Sequence, residues 1–246
     1  MIKTEIKFKN EDFDKNGNLK VSSILTYMQD AAVKDAEQFG ATHQNLLDDN
    51  MFFAVYRNIV TIKENIKKGT EGIFLVTFQS DHDRMRFMRS YFIYPLEFEP
   101  DVTKNFDPYE NAIIYCNSIW ILMDFEKRTL LRGNALKYPI EEYTVPFERQ
   151  LKVDINKETA VKKGDFFGKD YYIDENGHVN NAAYADIAFD FATDTEIIKS
   201  FDVTYEHEIL PEEKIEVYYQ QSEGSEKLLG IKNISGAVCF CTEIKY

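Results

Sequence analysis

Asp174, Asn176 and His178 stand at alternate positions, with Gly177 between the last two and Val179-Asn180-Asn181 after them. In an extended segment alternate side chains leave the same face, and the glycine permits a sharp bend among them. A carboxylate, an amide and an imidazole gathered this closely can orient one another and move a proton near neutral pH. About 30 residues further on, Tyr205-Glu206-His207-Glu208 offers a second carboxylate at Glu208. Taken by itself, the run also reads as a polar loop built on an Asn-Gly turn.

These residues need elements to hold them. Asn180 or Asn181 can cap a helix expected over 182–199, with Ala183, Tyr184, Ile187, Ala188 and Phe191 on one side and Asp186, Asp190 and Asp194 on the other. The same arrangement occurs earlier in the chain. Asp14, Asn16 and Gly17 recur 160 residues later as Asp174, Asn176 and Gly177, and Leu19 becomes Val179. A helix is expected there too, capped by Ser22 or Ser23, striped by Leu25, Met28, Ala32, Ala36 and Phe39, and stopped at Gly40.

The match resumes where residues 60–66 parallel residues 203–209. Strands are expected over 1–11, 73–79, 84–94 and 112–124 in the first half, the last carrying Trp120, and over 215–221, 226–233 and 236–245 in the second. Residues 133–163, with Pro139 and Pro146, read as a linker that includes the first strand of the second copy. The expected fold class is α+β, with two modules, each a long helix wrapped by antiparallel sheet. The boundaries are 1–138, a joining stretch at 139–160, and 161–246. Such a duplication replaces a dimer within one chain.

The copies differ where chemistry would sit. His178 is matched by Asn18, and Glu208 by Asn65. An amide keeps shape and hydrogen bonds but cannot accept a proton near neutral pH. The first copy therefore reads as a scaffold and the second as the working site.

The run Asp174-x-Asn176-x-His178-Val179-Asn180-Asn181, with Tyr184 and then Tyr205-x-x-Glu208, resembles the active-site region of the acyl-acyl-carrier-protein (acyl-ACP) thioesterases, tandem hotdog enzymes. Arg84-Met85-Arg86 and residues 117–123, with Arg128 and Leu130 following, resemble that family's first-module strands. The resemblance implies two hotdog modules forming an internal pseudo-dimer, the first shaping an acyl pocket without catalysing. It implies hydrolysis of fatty acyl-ACP to free acid and carrier, with catalytic roles for Asp174, Asn176, His178 and Glu208. Older schemes for the family place a nucleophilic cysteine after the glutamate; Ile209 stands there in this chain. Asp174 could orient His178 or itself attack the carbonyl. Backbone N–H groups at the start of the 182–199 helix are candidate oxyanion donors. The stretch 95–111 departs from the family's shorter connection and bears on the pocket mouth.

Composition narrows the alternatives. A net charge of −13 over 246 residues argues against general nucleic-acid binding and an anionic membrane surface. The first residues alternate charged and apolar types unlike a signal peptide, and no apolar run is long enough to span a bilayer, so a cytoplasmic location is expected. Cys116, Cys239 and Cys241 lie in apolar strand-like runs and read as buried, the last two on one strand face. No metal or redox cofactor is expected. The expected partner is an acyl carrier protein, with a homodimer compatible; an acidic carrier requires a local basic patch, for which Arg84, Arg86 and Arg89, or Lys162, Lys163 and Lys169, are candidates. His207, His43 and His82 are assigned no catalytic role. Hydrolysis of acyl-coenzyme A, dehydration of hydroxyacyl thioesters, and acyl binding without turnover are the rival readings.

Overall fold

Residues 1–102, 107–143, 145, 151–193 and 197–246 are described by the computed structural model of the chain. Its strands are rich in β-branched and aromatic residues, and their burial shows how each is covered. In β1 (Ile2–Lys7) the two faces are unequally buried, whereas β4 (Arg86–Pro95) is buried almost throughout. Such a strand has both faces covered. Tyr91 and Ile93 enter the main core, while Phe92 and Tyr94 enter a second apolar cluster. β3 (Gly72–His82) divides in the same way, with Ile73 and Leu75 in the main core and Val76 and Phe78 in the second cluster.

The cover of that second cluster comes from the stretch after β4. Phe98, Val102 and Tyr109 pack on it, and the Tyr94 hydroxyl donates to the Pro108 carbonyl at 2.6 Å. The described part of this stretch thus closes the sheet face away from the main core.

The main core is built on α1 (Val21–Glu37), whose Val21, Ile24, Leu25, Met28, Ala31 and Ala32 are buried at helical spacing. Gly40, at φ +83°, follows its end as expected. Its start differs from expectation. Ser22 and Ser23 lie inside the helix, buried, and Lys20 is the N-cap without a side-chain bond. Ser22 Oγ instead donates to Asp186 Oδ1 at 2.6 Å, joining the helices of the two halves, and Ser23 Oγ donates to the Asp12 carbonyl.

After the short α2 (His43–Asp48), β2 (Met51–Ile62) and β5 (Ile114–Asp124) complete the first half. The second half holds β6 (Val161–Phe167), α3 (Ala183–Phe191), β7 (Ser200–Tyr205), β8 (Lys214–Ser222), β9 (Ser225–Lys232) and β10 (Val238–Lys245). The ten strands among the described residues form one antiparallel sheet in the order β1-β3-β4-β5-β2-β7-β10-β9-β8-β6. Read outward from the β2–β7 seam, the strands of each half follow one another in equivalent order. α3 ends earlier than expected, because Ala192 is extended at ψ 157°; Asp194 lies outside the described residues. In the joining stretch Val153 and Ile155 pack on β9 and β10, and Pro146 lies outside the described residues.

The main core contains residues of α1, α3 and both sheet halves, so the seam is internal. At the seam Arg57 and Asp202 form a buried ion pair. Within the second half Gly230 faces the Phe240 ring so closely that a Cβ would overlap it. Gly230→Ala is expected to lower stability by about 1–3 kcal/mol through this overpacking, read as an earlier urea midpoint with an unchanged slope.

Candidate active site

The Asp174 run is a tight turn, not an extended segment. Asp174 N donates to the His178 carbonyl at 3.0 Å, Gly177 N to the Asp174 carbonyl at 3.0 Å, and Gly177 has φ +82°. Asp174 Oδ1 accepts the Asn176 N–H at 2.8 Å, the hydrogen bond of an Asx turn. The first half builds the same turn, with Asp14 N to the Asn18 carbonyl at 2.8 Å, Gly17 at φ +77° and Asp14 Oδ1 accepting from Asn16 N at 2.9 Å.

The next connection aligns the second pair of exchanged residues. Leu19 N donates to the Ile66 carbonyl at 2.9 Å, and Val179 N to the Ile209 carbonyl at 2.9 Å. Asn65 and Glu208, each one residue earlier, therefore occupy equivalent backbone positions. The side chains then diverge. In the first half Lys67 Nζ bonds Asn18 Oδ1 and Asn65 Nδ2 reaches the Ile198 carbonyl at 3.4 Å. In the second, His178 Nε2 stands 3.7 Å from Glu208 Oε1, and His178 Nδ1 stands 3.9 Å from Asp174 Oδ1.

This carboxylate–imidazole–carboxylate line is graded in exposure. The side chains of Asp174 and His178 are 14% and 16% exposed, and that of Glu208 is 46% exposed. Asn176 lies outside the line. It is exposed, and its Nδ2 faces Asp174 Oδ2 at 3.4 Å rather than Glu208. Asn180 Oδ1 accepts the Ala182 N–H at 2.8 Å, and its carbonyl accepts the Ala183 N–H at 2.9 Å. Those two N–H groups are thus engaged at the start of α3.

A narrow cavity lies between α1, the central strands and the start of α3, reaching Asn181 and Ala182 of the segment that follows the turn. Leu25, Met28, Val55, Tyr91, Trp120 and Ala182 supply its apolar walls, and its free space holds about one water molecule. Asn58 at its side belongs to a buried polar chain. Ser118 Oγ donates to Asn58 Oδ1, Asn58 Nδ2 to the Tyr205 hydroxyl at 3.3 Å, and that hydroxyl to the Asn181 carbonyl at 3.0 Å. First-half strands thereby hold the loop that carries the turn. Burial raises the pKa of Tyr205, with Asn58 opposing, which keeps this hydroxyl a donor. Of this chain Asn58 is the member the sequence did not single out, since a lone polar residue in a strand carries no local signal.

Several expected features are placed differently. Arg89 is buried and donates to Asp35 Oδ2 at 2.7 Å, and Arg86 bonds Asp83, so Arg84, Arg86 and Arg89 do not form one exposed basic patch. Lys162 is held by Asp165 and Glu216, while Lys163 and Lys169 lie over the rings of Tyr219 and Tyr171. His207 Nδ1 meets the Val238 carbonyl at 2.7 Å, and His82 contacts Glu142. A bulge in β10 separates the two cysteine environments, with Cys239 in the main core and Cys241 against Val153.

All three cysteines are free and buried, and desolvation pushes each thiol up to about 12. They are therefore expected to be inert to iodoacetamide in the native protein, with no loss of activity, and to titrate only in denaturant. Rapid inactivation by alkylation would contradict this. Among the described residues no cluster could hold a metal ion, and no helix is long and apolar enough to cross a membrane.

The antiparallel sheet with its few helices fits a hotdog-like fold, and two family matches that together span most of the chain make it a thioester hydrolase. Residues 1–134 match the acyl-ACP thioesterase N-terminal domain and residues 148–243 the acyl-ACP thioesterase C-terminal domain. The chain belongs to the acyl-ACP thioesterase family, whose members hydrolyse acyl-ACP thioesters in fatty acid biosynthesis. Among solved structures it is similar to an acyl-ACP thioesterase from Bacteroides thetaiotaomicron, at 19% identity and a TM-score of 0.82, covering 99% of this chain and 96% of that one. It is also similar to the 12:0-ACP thioesterase from Umbellularia californica, at 17% identity and a TM-score of 0.77, with the same coverages of 99% and 96%. No curated protein sequence matches the chain.

Proposed function

We propose that the chain is an internal pseudo-dimer of two hotdog modules, residues 1–138 shaping the acyl pocket and residues 161–246 carrying the hydrolytic site, joined by 139–160. In this reading the reaction runs on fatty acyl-ACP in the cytoplasm, and a homodimer is compatible with it. The observation that carries it is the approach of His178 to Glu208 at 3.7 Å, in the one half that retains both groups.

Glu208 takes a proton from water as the water oxygen attacks the thioester carbonyl. Collapse of the tetrahedral intermediate breaks the C–S bond, and the proton passes to the departing carrier thiol. His178 holds the water or the developing oxyanion; its Nδ1 meets the Val179 carbonyl at 3.3 Å, and the Asp174 carboxylate, 3.9 Å from the same nitrogen, orients the ring by its charge. Asn176 braces Asp174. The Asp174 carboxylate already receives two contacts from Asn176, which favours an orienting role over direct attack. With the Ala182 and Ala183 N–H groups engaged by Asn180, the oxyanion relies on His178 more than on the first turn of α3. The acyl chain extends between Met28, Val55 and Trp120, parting the narrow cavity.

The test is thiol release from a panel of acyl-ACP thioesters. His178→Ala is expected to reduce kcat by about 10²-fold or more while circular dichroism remains native. Full activity in the folded variant would remove His178 from the mechanism. Absence of turnover in the native protein, alongside saturable acyl binding, would favour a binding module.

A further inference from the structure

Arg128 belongs to the first half, in the turn that follows β5, and its side chain reaches the candidate site of the second half. Arg128 Nη1 lies 3.4 Å from Glu208 Oε1. The arginine is held from three sides. Its guanidinium carbon stands 5.1 Å from the centroid of Phe52 and 5.7 Å from that of Phe125, two rings that meet edge to face. Its backbone sits at φ +53°, a left-handed conformation that non-glycine residues rarely adopt, and its N–H closes the turn on the Asp124 carbonyl at 3.0 Å.

Stability does not account for this construction. Arg128 and Glu208 are 50% and 46% exposed, and a half-exposed pair at this distance contributes little to folding. What the pair determines is where the carboxylate points. Oε1 is approached by Arg128 on one side and by His178 Nε2 on the other, while no hydrogen bond or ion pair engages Oε2 among the described residues. The neighbours on its own segment face elsewhere, Glu206 to Lys152 and His207 to the Val238 carbonyl.

We infer that Arg128 is a positioning residue for hydrolysis, gripping one oxygen of Glu208 so that the other is presented to the attacking water. The inference rests on the reading of Glu208 as general base. It gives the half without the acid–base pair a direct part in the site of the other half.

The experiment compares the native protein, Arg128→Ala, Arg128→Lys, Glu208→Gln and the double variant Arg128→Ala/Glu208→Gln. Each acts on an acyl-ACP and on the same acyl chain carried by N-acetylcysteamine, with folding checked by circular dichroism. Arg128→Ala is expected to lower kcat about 10- to 100-fold on both substrates, as misplacement of a reacting group does, with KM changed by less than about twofold. Arg128→Lys is expected to recover part of the loss, and added guanidinium to restore part of it in Arg128→Ala. In the Glu208→Gln background the arginine change is expected to add nothing.

A loss confined to acyl-ACP would make Arg128 a carrier-docking cation and overturn the inference. So would an undiminished effect of Arg128→Ala in the Glu208→Gln background, or no effect in the native one. Full activity of Glu208→Gln would instead sink the assignment of Glu208 on which the inference rests.

Discussion

Glu208→Gln is expected to lower kcat on acyl-ACP by about 10²- to 10⁴-fold with KM little changed, because glutamine keeps the size and hydrogen bonding of the side chain and removes only its capacity to take a proton. The protein itself supports the choice of an amide. At the equivalent position the first half carries Asn65, on a backbone that makes the same 2.9 Å bond to the preceding turn. Glu208 is also exposed, so the substitution leaves no buried partner unsatisfied and the unfolding midpoint should not move. Steady-state thiol release, with thermal unfolding measured on the same samples, decides the matter. Loss of activity accompanied by a large fall in Tm would point to structure rather than base catalysis, and retained activity would exclude Glu208 as the base.

Arg57→Ala should produce the largest stability effect, about 3–5 kcal/mol. Arg57 lies on β2 beside β7, and its Nε and Nη2 donate to the two oxygens of Asp202 at 2.9 and 2.5 Å. Nη2 also donates to the Leu151 carbonyl at 2.7 Å, tying the joining stretch to the seam. Burial raises the Asp202 carboxyl pKa and Arg57 opposes it, so losing the arginine leaves a buried carboxylate without its counter-charge. Replacing both residues by apolar ones, as in Arg57→Met/Asp202→Leu, is expected to recover most of the stability, since the penalty comes from the orphaned charge more than from the absent pair. Urea unfolding of the two variants separates these cases. A single variant within about 0.5 kcal/mol of native would show that water or a neighbour satisfies Asp202.

The seam matters for the chemistry as well. Across it Arg128 meets Glu208, and the Asn58–Tyr205 bond steadies the loop that ends in the Asp174 turn. A weakened seam should therefore loosen the proposed site, whose acid–base groups all belong to one half.

How much of this was legible beforehand follows from which interactions are local. The Asp174 turn and its copy at Asp14 could be read from the chain because a carboxylate, an amide and a glycine close such a turn within five residues. Strands β1, β3, β4, β5, β8, β9 and β10 could be read because β-branched and aromatic runs mark them, whereas the seam strands β2 and β7 showed only in the parallel of 60–66 with 203–209; the exchanged pairs at 18/178 and 65/208 could be read because equal spacing maps to equal backbone positions. Errors arose where a distant partner decided the outcome. Ser22 resembles a helix cap, yet Asp186 from the other half claims it, and Arg89 resembles part of a solvated strand face until Asp35 of α1 arrives above it. Shared spacing suggested one face for Cys239 and Cys241, which a single bulge in β10 divides.

Residue types and their spacing determined the family, the repeat and which copy keeps ionisable groups. Tertiary structure alone decided that His178 meets Glu208, that Asn176 turns towards Asp174, and that Arg128 reaches across from the other half. The physical reason is range. Turn and strand preferences act over a few neighbouring residues, whereas Arg128 and Glu208 are 80 residues apart and meet only because β2 pairs with β7 on one side and with β5, whose end leads into the Arg128 turn, on the other.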